Sequence, residues 1–233
     1  MSAPNLPRPN FAGLSAAAVA DVLRAGGEPH RALHHSIARL GPAGRLAGPA
    51  LPARGETQLG APEPPGVKSV RYEMFRRITP GAVLVVASGG YDEAVVFGEN
   101  VVLAAQARGC AGMVADGGVR DADAIRAMDI PVFARFATPV SSAGRWRFVA
   151  LEEPVTMPGQ TTAVVVVSPG DWLVGDGDGV VVVPVIHAAD VAADARRLVT
   201  IEETQRPRLV AGEDPEAVYA AADRFGHVRR YGA

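Results

Sequence analysis

"FGENVVLAAQARGCAGMVADGGVRD", residues 97–121, decides how the chain folds. Gly98 stands before "ENVVLAAQAR" (99–108), whose apolar spacing predicts a helix with Gly109 as its C-terminal cap. "AGMVAD" (111–116) predicts a buried strand, and "GGVRD" (117–121) the loop that leaves it. Upstream, "AVLVVAS" (82–88) predicts a fully buried strand and "AVVF" (94–97) a short second one. Downstream, "ADAIRAM" (122–128) predicts a short helix and "IPVFAR" (130–135) another strand. A run of β and α elements joined by short loops predicts an α/β layered sheet.

On the N-terminal side, "LSAAAVADVLRAGG" (14–27) predicts a helix with Ser15 as N-cap and Gly26–Gly27 as its stop. "RLAGPALPA" (45–53) predicts a strand. On the C-terminal side, residues 161–184 hold two β-rich runs parted by Pro-Gly and Asp-Gly turns, the pattern of hairpins or barrel-like β structure. Residues 187–206 have helical spacing and predict a surface or interface helix. The Pro-rich residues 1–13 read as an extended arm. With no linker visible, residues 14–233 are expected to form one domain that includes C-terminal interface helices.

Composition narrows the function. The chain has 233 residues, 48% hydrophobic and 21% charged, with net charge −2, so it offers no electrostatic ground for nucleic acid or an anionic membrane as partner. No apolar run approaches the ~18 residues of a membrane span. The N-terminus lacks a basic segment followed by an apolar core, and a cytoplasmic location is expected. Cys110, the sole cysteine, reads as a small buried filler. "GDGDG" (175–179) lacks the distant glutamate of a calcium loop and reads as a turn. His30, His34 and His35 have no acidic partner motif. No dinucleotide fingerprint, P-loop or nucleophile elbow is present.

The chemistry converges on 98–121. First-turn amides near Gly98, Glu99, Asn100 and Val101 can bind an anion. The following strand delivers Arg120, whose planar fork suits a carboxylate. Asp121 and Glu99 are hard oxygen donors suited to Mg²⁺ or Mn²⁺. A plainer reading exists for each: Glu99 as a charge complementing its helix, Arg120–Asp121 as a turn ion pair.

At these residues the chain resembles the aldolases for 4-hydroxy-4-methyl-2-oxoglutarate and 4-carboxy-4-hydroxy-2-oxoadipate, homologous to the regulator of ribonuclease E activity. The resemblance runs through "LSAAAVADVL", "RLAGPA", the opening stretch, "IPVFAR" and "PGDWLVGDGDGVVVVP". Aldolase members carry an acidic residue, twenty intervening residues, then Arg-Asp; Glu99, residues 100–119, Arg120 and Asp121 fit. Regulator-only members lack that acidic residue. The resemblance implies a swivelling β/β/α-type fold with a β-rich C-terminal half, assembled as a homotrimer or hexamer. It implies a Mg²⁺- or Mn²⁺-dependent lyase acting on a small keto acid, with pyruvate as product and oxaloacetate decarboxylation as a companion activity. Arg120 would bind the pyruvyl carboxylate and keto oxygen. Asp121 and Glu99 would hold the hydrated metal, and the 98–101 amides the carboxylate. A neighbouring subunit would add a glutamate, with Glu202 or Glu203 as candidates. The alternatives are a non-catalytic protein-binding regulator and a lyase for another keto acid or sugar acid.

Two departures stand out. Phe136 replaces an expected glycine, and "ETQLGAPEPPGVKSVRYEMFRRI" (56–78) does not follow the aldolase pattern, which points to that segment for substrate choice. Cleavage beside a keto group can also run through a lysine Schiff base. The one lysine, Lys68, lies in a Pro-rich loop, so the metal route is favoured.

Overall fold

The computed structural model describes residues 9–58 and 69–231. Its scaffold is a β-strand–β-strand–helix unit used repeatedly. Strand β3 (Val83–Ala87) runs in a large sheet, β4 (Val95–Phe97) crosses into a small one, and helix α3 (Glu99–Gln106) follows. Then β5 (Gly112–Ala115), β6 (Gly118–Val119) and α4 (Ala122–Arg126) repeat the pattern, and β7 (Val132–Ala134) and β8 (Phe136–Ala137) begin it a third time. The large sheet therefore holds β3, β5 and β7 in parallel, and the small sheet holds β4, β6 and β8 in parallel.

The large sheet is extended by β2 (Leu46–Thr57), a twelve-residue strand that serves three partners. It pairs in parallel with β3 and antiparallel with β9 (Trp146–Leu151) and β12 (Trp172–Asp176). β12 forms a hairpin with β13 (Gly179–Val183), and β1 (Ala38–Arg39) closes the far edge on β7. The all-apolar run of β3 is explained by burial on both faces. Leu84 and Val86 join one core; Val83 and Val85 join another. That second core also takes Leu46, Val114, Phe133, Leu173 and Val182 from the other strands, so the sheet curls toward a barrel. The two-stranded sheet β10 (Val155–Pro158) and β11 (Val164–Val167) contributes Met157 and Val165 to it.

A third core lies where α1 (Ala16–Ala25) and α5 (Ala188–Val210) cover β12–β13. Ser15 caps α1 as its position predicts, accepting from the Ala18 amide at 3.2 Å. Asp176, in the "GDGDG" turn, adds a second cap by accepting from the Ala16 amide at 3.0 Å. Of the expected N-terminal arm, residues 9–13 are described, and Phe11 is buried against Trp172. Helices α2 (Val70–Arg77) and α6 (Pro215–Ala220) complete the elements; α2 anchors on the buried Met74. No helix among the described residues is long and apolar enough to cross a membrane.

The structure departs from the sequence expectation at "GGVRD". Gly118–Val119 is not loop but the central strand of the small sheet. Glycine weakens a strand's intrinsic signal, yet here it is required: a Cβ on Gly118 would stand 2.2 Å from the Phe136 ring. The expected 130–135 strand is found as Val132–Ala134, and beyond Arg135 a further short strand, Phe136–Ala137, enters the small sheet.

Candidate active site at the ends of two parallel strands

Two side chains, Arg120 and Asp121, meet a helix end where β4 and β6 stop. The Arg120 amide donates to the Phe97 carbonyl (3.2 Å), and the Thr138 amide to the Val119 carbonyl (3.0 Å). These bonds extend the small sheet by one residue and hold the Arg120 backbone at its C-terminal edge, where ligands bind in parallel α/β sheets. Gly98 begins α3 with extended backbone that any residue could adopt (φ −141°). Its glycine is demanded by proximity instead. A Cβ there would lie 2.7 Å from Asp121 Oδ2 and 2.8 Å from Arg120 Cγ.

Asp121 closes the arrangement. Its Oδ2 accepts from the Glu99 amide (3.2 Å) and lies 3.4 Å from Arg120 Nε. The Val101 amide turns back to the Gly98 carbonyl at 3.0 Å, which leaves the Asn100 amide as the first-turn donor facing outward. Asp121 itself sits in the left-handed region (φ 59°, ψ 39°). Aspartate enters this region more readily than most side chains, because its short carboxylate can hydrogen-bond locally. The Arg120–Asp121 pair, with both side chains 42% exposed, contributes at most about 1 kcal/mol.

The donor set is chemically narrow. Glu99 and Asp121 offer carboxylate oxygens, and among the described residues no group of three or more His, Cys, Asp or Glu could cage a metal. Carboxylate oxygens are hard donors of the kind that Mg²⁺ and Mn²⁺ accept. Arg120 separates two hollows. One is bordered by Asp121, Ala122, Thr138 and Pro139. The other runs toward α2 and β9.

Behind the site, buried Asp116 accepts from the Ser88 amide, the Tyr91 amide donates to Ser88 Oγ (3.1 Å), and Trp146 Nε1 donates to the Ser88 carbonyl (3.0 Å). Burial pushes the Asp116 carboxyl above the usual range, against the pull of its Ser88 bonds. This network fixes the turn joining β3 to β4 and escaped sequence reasoning, since Ser88 and Asp116 are 28 residues apart. Of the other candidates, Glu202 pairs with Arg224 in its own chain, while Glu203 is exposed and makes no ion pair with a described residue. His34 and His35 stack on each other and bond Ser36 and Gln160, with no acidic partner. The Cys110 thiol is raised by burial and donates to the Ala82 and Gly112 carbonyls, a filler's role. Lys68 lies outside the described residues.

Repeated β-β-α units gather an arginine, a carboxylate and a helix end at one sheet edge, and they define an α/β protein of mixed sheets. Residues 16–182 match the model of the RraA-like family, described as Aldolase/RraA, and the chain belongs to that family. It is 30% identical over 149 residues to a "Putative 4-hydroxy-4-methyl-2-oxoglutarate aldolase" of Halalkalibacterium halodurans, covering 64% of this chain and 67% of the relative. It is 36% identical over 102 residues to a protein of the same name, numbered 2, from Arabidopsis thaliana, covering 44% and 58%. The match thus spans about three fifths to two thirds of these relatives. Among solved structures, Streptomyces coelicolor RraAS2, titled an unusual member of the RNase ES inhibitor RraA family, superposes with TM-score 0.71 at 28% identity, covering 86% of this chain and all of that one. An uncharacterized Pseudomonas syringae protein gives 0.75 at 27%, covering 89% and 94%.

Proposed function

We propose that this protein is a divalent-metal-dependent carbon–carbon lyase that releases pyruvate from keto acids of the 4-hydroxy-4-methyl-2-oxoglutarate type and decarboxylates oxaloacetate. The observation that carries the reading is the gap left by Gly98, into which Arg120 and Asp121 both press against the start of α3. The names of the aldolase relatives supply the reaction class.

Each residue has a separate task. The Arg120 fork binds the pyruvyl carboxylate and orients the adjacent keto oxygen. The Asn100 amide and the positive end of α3 take the remaining negative charge. Asp121 and Glu99 would hold Mg²⁺ or Mn²⁺, which when bound supplies positive charge beside the keto oxygen during bond cleavage. Asp121 also keeps Arg120 Nε at 3.4 Å, so the guanidinium and the metal-binding carboxylate are aligned before substrate arrives.

A cytoplasmic homotrimer or hexamer accompanies this proposal, supported by Val164 and Val166, exposed on one face of β11. The test is pyruvate release over a panel of keto acids, read by a coupled lactate dehydrogenase, with and without EDTA. Turnover that chelation abolishes and Mg²⁺ or Mn²⁺ restores supports the reading. Full turnover in metal-stripped protein refutes the metal dependence, and no turnover on any substrate favours the regulator reading that the RraA names of its structural neighbours carry.

A further inference from the structure

The hollow on the far side of Arg120 measures about 290 Å³ and is bordered by α2, β9 and the 141–144 turn. Its apolar wall is rigid. Trp146 and Phe148 are buried and meet edge to face at 4.8 Å, and Trp146 is tied to the Ser88 carbonyl. Its charged groups are three arginines, and their circumstances differ. Arg147 is matched by Glu56 at 3.0 Å. Arg120 faces Asp121 and the pyruvyl end of the site. Arg71, on α2, makes no ion pair with a described residue.

That absence is selective. Helix α2 carries two other arginines, and both are engaged: Arg76 with Glu73 at 2.9 Å, Arg77 with Glu73 at 2.9 Å and Glu152 at 3.3 Å. The helix has a single acidic residue, and the two distal arginines consume it. The guanidinium bordering the cavity is the one with no countercharge among the described residues. Arg71 also lies in the 56–78 segment, where the chain departs from the aldolase pattern.

We propose that this hollow is a second anion subsite, in which Arg71 grips the far carboxylate of a dianionic 2-keto acid while Arg120 holds its pyruvyl end. The assignment of the pyruvyl end rests on the function proposed above; the second grip rests on Arg71 and the cavity. A monoanion satisfies Arg120 and leaves Arg71 unmatched, whereas a diacid neutralises both and lays its methylene chain along Trp146 and Phe148. The arginine pair would thus select for two acid groups separated by an apolar spacer.

Calorimetric titration of the full chain with Mg²⁺ present, using pyruvate and 2-oxoadipate as probes, tests this. Wild type should bind 2-oxoadipate the more tightly. Arg71→Ala should weaken 2-oxoadipate about tenfold or more and leave pyruvate within about twofold, the loss expected for one charged hydrogen-bonding partner. Arg71→Lys should recover part of the loss, and Arg76→Ala, on the same helix, none of the phenotype. Equal weakening of both probes, no weakening of either, or equal wild-type affinities would overturn the subsite. Binding of 2-oxoadipate that depends on Arg71, in a protein with no turnover, would sustain the subsite and sink the lyase reading alone.

Discussion

Replacing Gly98 with alanine adds one methyl group where the site has no room for it. Ordinary contact begins near 3.4 Å, and the new carbon would stand 2.7 Å from Asp121 Oδ2, 2.8 Å from Arg120 Cγ and 3.1 Å from Arg120 Nε. Both side chains must retreat by roughly 0.5–1 Å, and a misplacement of that size costs about a hundredfold in rate where geometry carries the chemistry. The fold is affected much less. The backbone at φ −141° suits alanine, so the loss is confined to the Asp121 cap on the Glu99 amide, about 1 kcal/mol. For a chain of this length that lowers the melting temperature by about 2–4 °C. The assay is kcat/KM for pyruvate release beside a thermal melt, with Gly44→Ala as the control, since nothing lies within 4 Å of a Cβ there. A Gly98→Ala protein with kcat/KM within twofold of wild type would refute the site. So would a variant that melts far earlier yet turns over normally per folded molecule.

Arg120→Lys keeps a charge and loses the two-pronged grip, so kcat/KM should fall roughly a hundredfold, about 3 kcal/mol; an unchanged value ends the assignment. Asp121→Asn keeps the left-handed backbone that asparagine tolerates, and its defect should be partly relieved by excess Mg²⁺; a defect indifferent to Mg²⁺ counts against a metal role. Asp116 holds its proton to higher pH in the folded chain than unfolded, so its contribution is complete below the usual value of 3.8 and is lost as pH rises through the raised one. Asp116→Asn, which still accepts from the Ser88 amide, should match wild type in acid and out-melt it increasingly from about pH 4 toward neutrality; parallel melting curves would contradict this. Tyr231→Phe removes the 2.8 Å bond to fully buried Asp194 and should cost about 2 kcal/mol, or roughly 4–8 °C; an unshifted urea midpoint would show that bond to be idle.

The legible parts of the chain were those whose signal is local. The apolar run of β3 and the helical spacing after Gly98 each declare their element within ten residues, and Glu99, Arg120 and Asp121 fall at the ends of such elements. β6 declares nothing: two residues, one of them glycine, become a strand because β4 and β8 flank them and the Phe136 ring needs the space. The second hollow was equally hidden. Arg71, Arg120 and Trp146 share it because β9 pairs with β2 and α2 packs beside β9, contacts that no window of sequence contains. Cavity-lining residues drawn from three distant segments leave no spacing to read.

The left-handed Asp121 has an evolutionary corollary. Aspartate, asparagine and glycine occupy that backbone region with little penalty, and other side chains do so at a cost. Fold and chemistry thus constrain the position differently: the turn into α4 accepts any of the three, while the metal-binding role proposed for it requires the carboxylate. A chain of this fold can carry asparagine or glycine here and keep its sheet edge and its helix intact. One backbone angle thus makes loss of the carboxylate proposed to bind metal a single structurally cheap step.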